Sequence, residues 1–244
     1  MTTKEDVADG FAEAWGALLA EQPIKYSFES QMAAAVRRMH KDTRTSLTVM
    51  ASHGWYADPT WIAGAERYIA DLLTERPRAE MDAELCDLIE EAAPASLSAL
   101  EASFPRRARF FAAAFQAHAR REYALSIPVL LAQADGICDE IHGVQLHSKK
   151  DGAFALAAKL DSATARPHLT PLLESHPISW NVGERRKRPG SLVLNRHTVL
   201  HGESVDYDTR ANSCRAISYL RFVAWMLGPS TYEFFPHPSS APSK

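Results

Sequence analysis

The segment VLLAQADGICDEI, residues 129–141, decides the fold class because its apolar residues repeat with helical spacing. Four of them lie along one side of the helix that this spacing predicts: Leu130, Ala134, Ile137 and Ile141. Asp135 lies beside this apolar side, so we expect a partly buried carboxylate. The hydroxyl of Ser126 and the ring of Pro128 are typical of a helix N-terminus, which predicts that the helix begins there.

The same spacing recurs along the chain, and no long stretch alternates polar and apolar residues as a half-buried strand would. We therefore predict an all-α fold, a helical bundle. The predicted helices cover residues 4–21, 28–40, 60–75, 80–92, 95–103, a stretch opened by Pro105, 129–141, 153–161, 191–201 and about 209–227. Pro94 is expected to break two of them, and the Pro- and Gly-containing stretch 162–190 is predicted to be irregular.

The domain organisation follows from the same pattern. Arg76-Pro77-Arg78 marks a boundary between an N-terminal helical region, residues 1–76, and a larger helical domain, residues 77–228. Residues 229–244 are rich in Pro and Ser and are predicted to be a flexible tail. Four aromatic residues of the N-terminal region are predicted to build a core: Trp15, Trp55, Tyr56 and Trp61.

The composition restricts the compartment and the partners. The formal net charge is −3, so a nucleic-acid contact would have to come from a local basic patch. Three widely separated cysteines, Cys86, Cys138 and Cys214, are expected to be buried and reduced. The opening residues lack a secretory signal, and the strongest apolar run, residues 216–227, is too short to cross a bilayer. We expect a cytoplasmic protein without a membrane span.

Polar residues cluster in the segment NRHTVLHG, residues 195–202, which spells R-x4-H from Arg196 to His201. Gly202 directly follows and is predicted to end the helix in the left-handed conformation. The motif resembles the signature of the HEPN superfamily, all-helical domains of toxin, abortive-infection and CRISPR-associated ribonucleases. The resemblance covers about residues 104–228; within it, 123–138 and 194–220 also resemble a group of uncharacterised bacterial helical proteins.

This resemblance implies a metal-independent endoribonuclease of the toxin or phage-defence type, without a cofactor, whose catalytic residues are Arg196 and His201. In that superfamily two protomers bring both copies of the motif into one cleft. The resemblance implies such a homodimer here. The spacing alone does not pair the two residues, because five helical residues set Arg196 and His201 about 140° apart, whereas His197 and His201 share a face. RNA is the expected substrate, and an antitoxin or activating protein is a further expected partner.

Histidine and arginine suit this chemistry. One imidazole would take the proton from the ribose 2′-hydroxyl, another would protonate the leaving 5′-oxygen, and arginine would stabilise the phosphorane charge. The products would be a 2′,3′-cyclic phosphate and a 5′-hydroxyl. Arg196 could instead form a structural ion pair, and His201 could merely cap its helix.

Other residues are candidates for supporting roles. Asn195 could form a hydrogen bond across the helix pair or be solvated, and His197 could line the cleft or the helix surface. Asp135 could orient Arg196 or a histidine, or could pair structurally. The basic cluster formed by Arg185, Arg186, Lys187 and Arg188 could follow an RNA backbone or be a solvated loop.

Two other functions stay open from the sequence. The domain could be an inactive dimerisation or regulatory module, in which the motif supports the interface. It could also bind a small molecule, with residues 162–190 as a lid. We predict no metal site, because the spacing of Glu140, His142 and His147 does not fit one helix face.

Overall fold

The computed structural model describes residues 28–58, 60–61, 64–147, 166–188 and 193–228. It confirms the all-α fold, and the described residues contain no strand. The α-helices are α1 (Phe28–Ser52), α2 (Ala65–Glu75), α3 (Arg78–Ser103), α4 (Ala108–Ala119), α5 (Tyr123–His142), α6 (Arg166–Leu173), α7 (Val182–Arg186), α8 (Arg196–Leu200) and α9 (Arg210–Leu227). Two short 3-10 helices lie at Pro105–Arg107 and Pro177–Ser179.

The chain divides into two compact units, residues 1–40 and 41–244. In the described part of the chain, the first unit contains the first half of α1, and all other helices belong to the second unit. Trp55 and Tyr56 are buried in the core of the second unit, as predicted, and Trp61 packs against that core. Trp15 and the predicted helix at 4–21 lie outside the described residues.

Helix α9 forms the centre of the second unit. It packs against α5 and α3, and α5 in turn packs against α4. Along α9 the side chains are buried on almost every face, including those of Tyr219 and Phe222. A helix that is buried all round must satisfy its polar residues inside the protein.

Two arginines of α9 are satisfied by buried ion pairs. Arg221 contacts Asp58 at 2.9 Å, and both side chains are under one-tenth exposed. Arg215 contacts Asp82 of α3 and donates to the carbonyl oxygen of His53 at 3.1 Å. These pairs tie α9 to the segment after α1 and to α3, so their charges are compensated away from water.

The prediction that Pro94 breaks a helix is wrong, because α3 runs through it from Arg78 to Ser103. Proline inside a helix removes one backbone hydrogen bond and costs about 3 kcal/mol. The two halves of α3 bury Ile89 and Leu100 in the same core, which favours one continuous helix. Tertiary packing therefore outweighs the local preference.

The predicted start of the helix at Ser126 is also wrong, because α5 begins at Tyr123. Pro128 has no N–H and cannot donate to the carbonyl oxygen of Ala124, four residues earlier. The hydroxyl of Tyr207 donates to that oxygen instead, at 3.1 Å. Ser126 is buried rather than capping, with its Oγ 3.3 Å from that of Ser213.

Other predicted boundaries change more modestly. The stretch 162–190, predicted to be irregular, contains α6, one 3-10 helix and α7, and the helix predicted at 191–201 begins at Arg196. The predicted helix at 153–161 and the tail 229–244 lie outside the described residues. The three cysteines form no disulfide and are buried, as expected. None of the described helices combines the length and apolarity needed to span a bilayer.

Candidate functional site

Helix α8 carries the R-x4-H motif and is fixed by its N-cap residue, Asn195. The side-chain Oδ1 of Asn195 accepts from the N–H of Thr198 at 2.9 Å, as N-cap residues do. Its Nδ2 donates to the carbonyl oxygens of Pro177 and Trp180 at 2.7 and 2.9 Å. Asn195 is buried, so it is neither solvated nor free to reach a second motif helix. Its two Nδ2 hydrogen bonds hold the start of α8 against the 3-10 helix at 177–179.

The C-terminal end of α8 is closed by Gly202, whose φ of 71° confirms the predicted left-handed conformation. The backbone N–H of Glu203 then donates to the carbonyl oxygen of Thr198 at 2.8 Å. His201 is the C-cap residue, and its side chain is exposed. The helix therefore presents its last histidine to solvent.

Arg196 forms an ion pair with Asp135 of α5. Its Nε donates to Oδ2 of Asp135 at 2.6 Å, and its Nη2 contacts the same oxygen. Both side chains are largely buried, with 24% and 20% exposure. The pairing is one of the arrangements that the sequence left open, and a catalytic role for either residue stays a prediction.

A buried polar chain continues from Asp135 to His147 and Tyr219. Nε2 of His147 lies 2.8 Å from the Tyr219 hydroxyl and 4.0 Å from Oδ1 of Asp135. Burial raises the pKa of Asp135, and Arg196 opposes that rise. Burial, together with Arg196, lowers the pKa of His147 to about 3. His147 is therefore uncharged at neutral pH.

This polar chain borders a small pocket of about 260 Å³. The pocket is lined by Asp135, Gly136, Asp139, Gln145, His147 and Arg196. His201, by contrast, lies at the exposed end of α8. Within one chain the two predicted catalytic residues thus have different surroundings, as their angular separation on the helix predicts.

His197 and His201 lie in contact on the same face of α8. Their ring centroids are 4.4 Å apart with 53° between the ring planes, which confirms the predicted shared face. Nε2 of His197 also lies 3.7 Å from Oε1 of Glu203. The pair is accessible, since His201 is exposed and His197 only half-buried.

The predicted RNA-binding cluster lies at the end of α7, close to α8. Arg185 donates to the hydroxyl of Thr198, and the guanidinium of Arg188 lies 4.4 Å from the centroid of the Trp180 ring. Arg186 and Lys187 are exposed. A depression of about 320 Å³ lies between α7 and α8. It is lined by Val182, Arg185, Arg186, Thr198 and Glu203.

The residues rejected as a metal site have separate partners. Glu140 accepts from Nε of Arg107 at 2.8 Å. His142 uses Nε2 in a 3.0 Å hydrogen bond with the carbonyl oxygen of Leu227. His147 contacts Tyr219, so each member of this trio faces a different neighbour.

A second polar cluster, which the sequence did not predict, lies at a cleft of about 950 Å³ between α3, α4 and α9. It contains Glu90, His118 and Cys214. Hydrogen bonding to Arg210 lowers the pKa of Glu90. Burial lowers the pKa of His118. In the sequence, the i,i+4 spacing places Arg210 and Cys214 on one face of a helix. This spacing does not indicate which residues of α3 or α4 pack against that face.

Comparisons with known proteins add no relative. No protein-family model, no curated protein and no solved structure matches the chain.

Proposed function

We propose that the protein is a metal-independent endoribonuclease of the toxin or phage-defence type, which cleaves RNA by transesterification at a composite site in a homodimer. The observation that carries the proposal is the accessible imidazole pair of His197 and His201, with ring centroids 4.4 Å apart. The R-x4-H resemblance supplies the reaction class.

Two imidazoles at this separation suit acid–base catalysis. One can accept the proton of the ribose 2′-hydroxyl while another, from the same or the second protomer, protonates the leaving 5′-oxygen. Arg196 would stabilise the negative charge on the phosphorane. Asp135 would act as a positioning residue, because it holds the guanidinium through Nε and Nη2.

The basic cluster supports RNA as the substrate. Arg186 and Lys187 are exposed, and the depression that Arg186 lines reaches Glu203, the neighbour of His197. A phosphate backbone that follows this cationic surface would be led toward the imidazole pair. We therefore expect cleavage to weaken steeply as the salt concentration rises.

A dimer through the end of α8 has its own support. Two apolar side chains close to His201 in the sequence, Leu200 and Val205, are exposed by 37% and 84%. An isologous contact about α8 would bury Leu200 and Val205 of both protomers and bring two copies of the motif together. Val205→Glu should therefore reduce the mass measured by light scattering from that of a dimer to that of a monomer, and should reduce cleavage in parallel.

The decisive experiment incubates the purified full-length chain with end-labelled RNA in EDTA. We expect products with 2′,3′-cyclic phosphate ends and no cleavage of DNA of the same sequence, because DNA lacks the nucleophile. His201→Ala and His197→Ala should each reduce the rate at least about 100-fold. His40→Ala, which alters a histidine on α1, is the matched control and should cleave like the wild type.

Intact RNA under all conditions, with a dimer still present, would contradict catalysis and favour an inactive dimerisation or regulatory module. Unchanged cleavage by His201→Ala would place the activity elsewhere.

Small-molecule binding is a second candidate, favoured by the cleft of about 950 Å³. Its described lining comes from α3, α4 and the starts of α5 and α9, with Leu97 and Phe115 beside polar residues. A metabolite screen by thermal shift would reveal a ligand as a concentration-dependent rise in Tm. Substitution of Leu97 by Arg should abolish that rise.

A further inference from the structure

Three potential metal ligands from three helices meet at the floor of the 950 Å³ cleft. Glu90 comes from α3, His118 from α4 and Cys214 from α9, and one donor atom of each lies within 4.8 Å of the others. Oε1 of Glu90 is 3.5 Å from Nε2 of His118 and 3.9 Å from Sγ of Cys214. These separations are slightly longer than those between ligands of one tetrahedral ion.

A serine hydroxyl orients the imidazole of His118 through the ring nitrogen that does not face Glu90. Its Nδ1 lies 2.8 Å from Oγ of Ser213, and that hydroxyl is 3.3 Å from Oγ of Ser126. All three side chains are buried. A hydrogen bond on one ring nitrogen directs the other toward a ligand, as in most histidine metal sites.

The cleft gives access to the cluster. Glu90 and His118 line it, whereas Cys214 is fully buried behind them. An ion among the three side chains would therefore lie at the floor of the cleft, with its open side toward the solvent. Tetrahedral sites with three protein ligands keep such a position for water or substrate.

We propose that Glu90, His118 and Cys214 bind a divalent transition-metal ion, with Zn²⁺ the best match to one carboxylate, one imidazole and one thiolate. Soft thiolate and imidazole ligands select zinc-class ions over Mg²⁺ or Ca²⁺. The thiol proton of Cys214 leaves to solvent when the metal–sulfur bond forms. This site is separate from the His197 and His201 surface and does not rest on the proposed ribonuclease activity.

Arg210 competes with this ion for Glu90. Its Nε lies 2.8 Å from Oε1, and its Nη2 lies 2.7 Å from Oε2. The metal would take Oε1 and leave the guanidinium on Oε2. A positive neighbour weakens a cation site, so we expect a modest affinity that Arg210→Gln would strengthen.

The test is a Co²⁺ titration of the chelator-treated full-length protein. We expect one equivalent of Co²⁺ to produce the near-ultraviolet charge-transfer absorption of a thiolate ligand, and Zn²⁺ to remove it. Cys214→Ala should abolish this absorption. The matched control is Cys138→Ala, which alters another buried cysteine and should keep it.

The other ligands are tested by affinity. Glu90→Gln and His118→Gln should weaken Co²⁺ binding at least about tenfold. Circular dichroism of each metal-free variant checks the fold. If Cys214→Ala unfolds, the proposal is tested by Glu90→Gln, which should stay folded because Glu90 is partly exposed.

Wild-type protein without charge-transfer absorption at millimolar Co²⁺ would overturn the proposal. So would an unchanged absorption in Cys214→Ala, or an unchanged affinity in Glu90→Gln. RNA cleavage is assayed in EDTA, so failure of the metal site and failure of the ribonuclease are distinguishable.

Discussion

Arg196 and Asp135 form the ion pair that joins the motif helix to the middle of α5, with Nε 2.6 Å from Oδ2. The residue expected to stabilise charge on RNA is therefore also a structural partner of a largely buried carboxylate. Loss of activity in an Arg196 variant has to be compared with its loss of stability before a catalytic role is concluded.

Arg196→Ala should lower the free energy of unfolding by about 2 kcal/mol, because it leaves Asp135 buried without its cation. Arg196→Ala combined with Asp135→Asn should recover about half of that loss. The pKa of Asp135 is already raised by burial and should rise further in the single variant. A folded-state pKa above the unfolded value favours the folded protein as the pH falls, so the single variant should lose less at pH 5 than at pH 8. Urea unfolding at the two pH values measures both effects, and additive losses in the double variant would contradict the pairing.

His147 should make the protein acid-labile. Its pKa is lowered to about 3 by burial, whereas the unfolded chain takes up the proton near pH 6.5. Between these values only the unfolded state is protonated, so stability falls as the pH falls, by about 1.4 kcal/mol per pH unit. His147→Gln should remove this dependence, which amounts to about 3 kcal/mol between pH 6.5 and 4. Equal pH slopes for wild type and variant would exclude the buried neutral imidazole.

Tyr207 and Pro128 should be energetically coupled. Tyr207→Phe removes the donor to the Ala124 carbonyl and should cost about 1 kcal/mol. Pro128→Ala restores a backbone N–H four residues after that carbonyl, so Tyr207→Phe should cost much less in its presence. A double-mutant cycle by urea unfolding measures the coupling. A coupling energy of zero would mean that water already satisfies this oxygen.

Asn195 should matter more than an ordinary N-cap. Asn195→Ala removes one cap bond and two donors to backbone carbonyls, for which we expect a loss of about 2 to 3 kcal/mol. Asn195→Asp keeps the cap acceptor but cannot donate, and should be nearly as unstable. Thr209→Ala is the control, because Thr209 caps α9 with a single bond and should cost about 1 kcal/mol. A stable Asn195→Asp protein would contradict the double role.

Helical spacing predicted the fold class and the location of the larger helices, because burial of one face repeats locally along the chain. The all-α fold, the helix ending at Leu227 and the left-handed Gly202 follow from such local signals. Pro94 and the start of α5 were predicted wrongly because distant groups decide them. For α5, the Tyr207 hydroxyl, 83 residues away, donates to the Ala124 carbonyl that Pro128 leaves without a backbone donor.

The candidate sites also contain both kinds of relationship: local ones that the sequence predicts, and contacts between distant helices that it does not. The shared face of His197 and His201 is a four-residue relationship and was predicted from the sequence. Glu90, His118 and Cys214 meet only because three helices pack in one particular rotation. No spacing along the chain specifies which faces of distant helices meet.

The burial of α9 on nearly every face has a consequence for biosynthesis. Helices α3 and α5 precede α9 in the chain, so during synthesis the faces that pack against α9 have no partner until α9 emerges from the ribosome. Asp58 likewise has no ion-pair partner in the described residues before Arg221 of α9 is in place. The second unit therefore completes its core only once α9 has docked against α3 and α5.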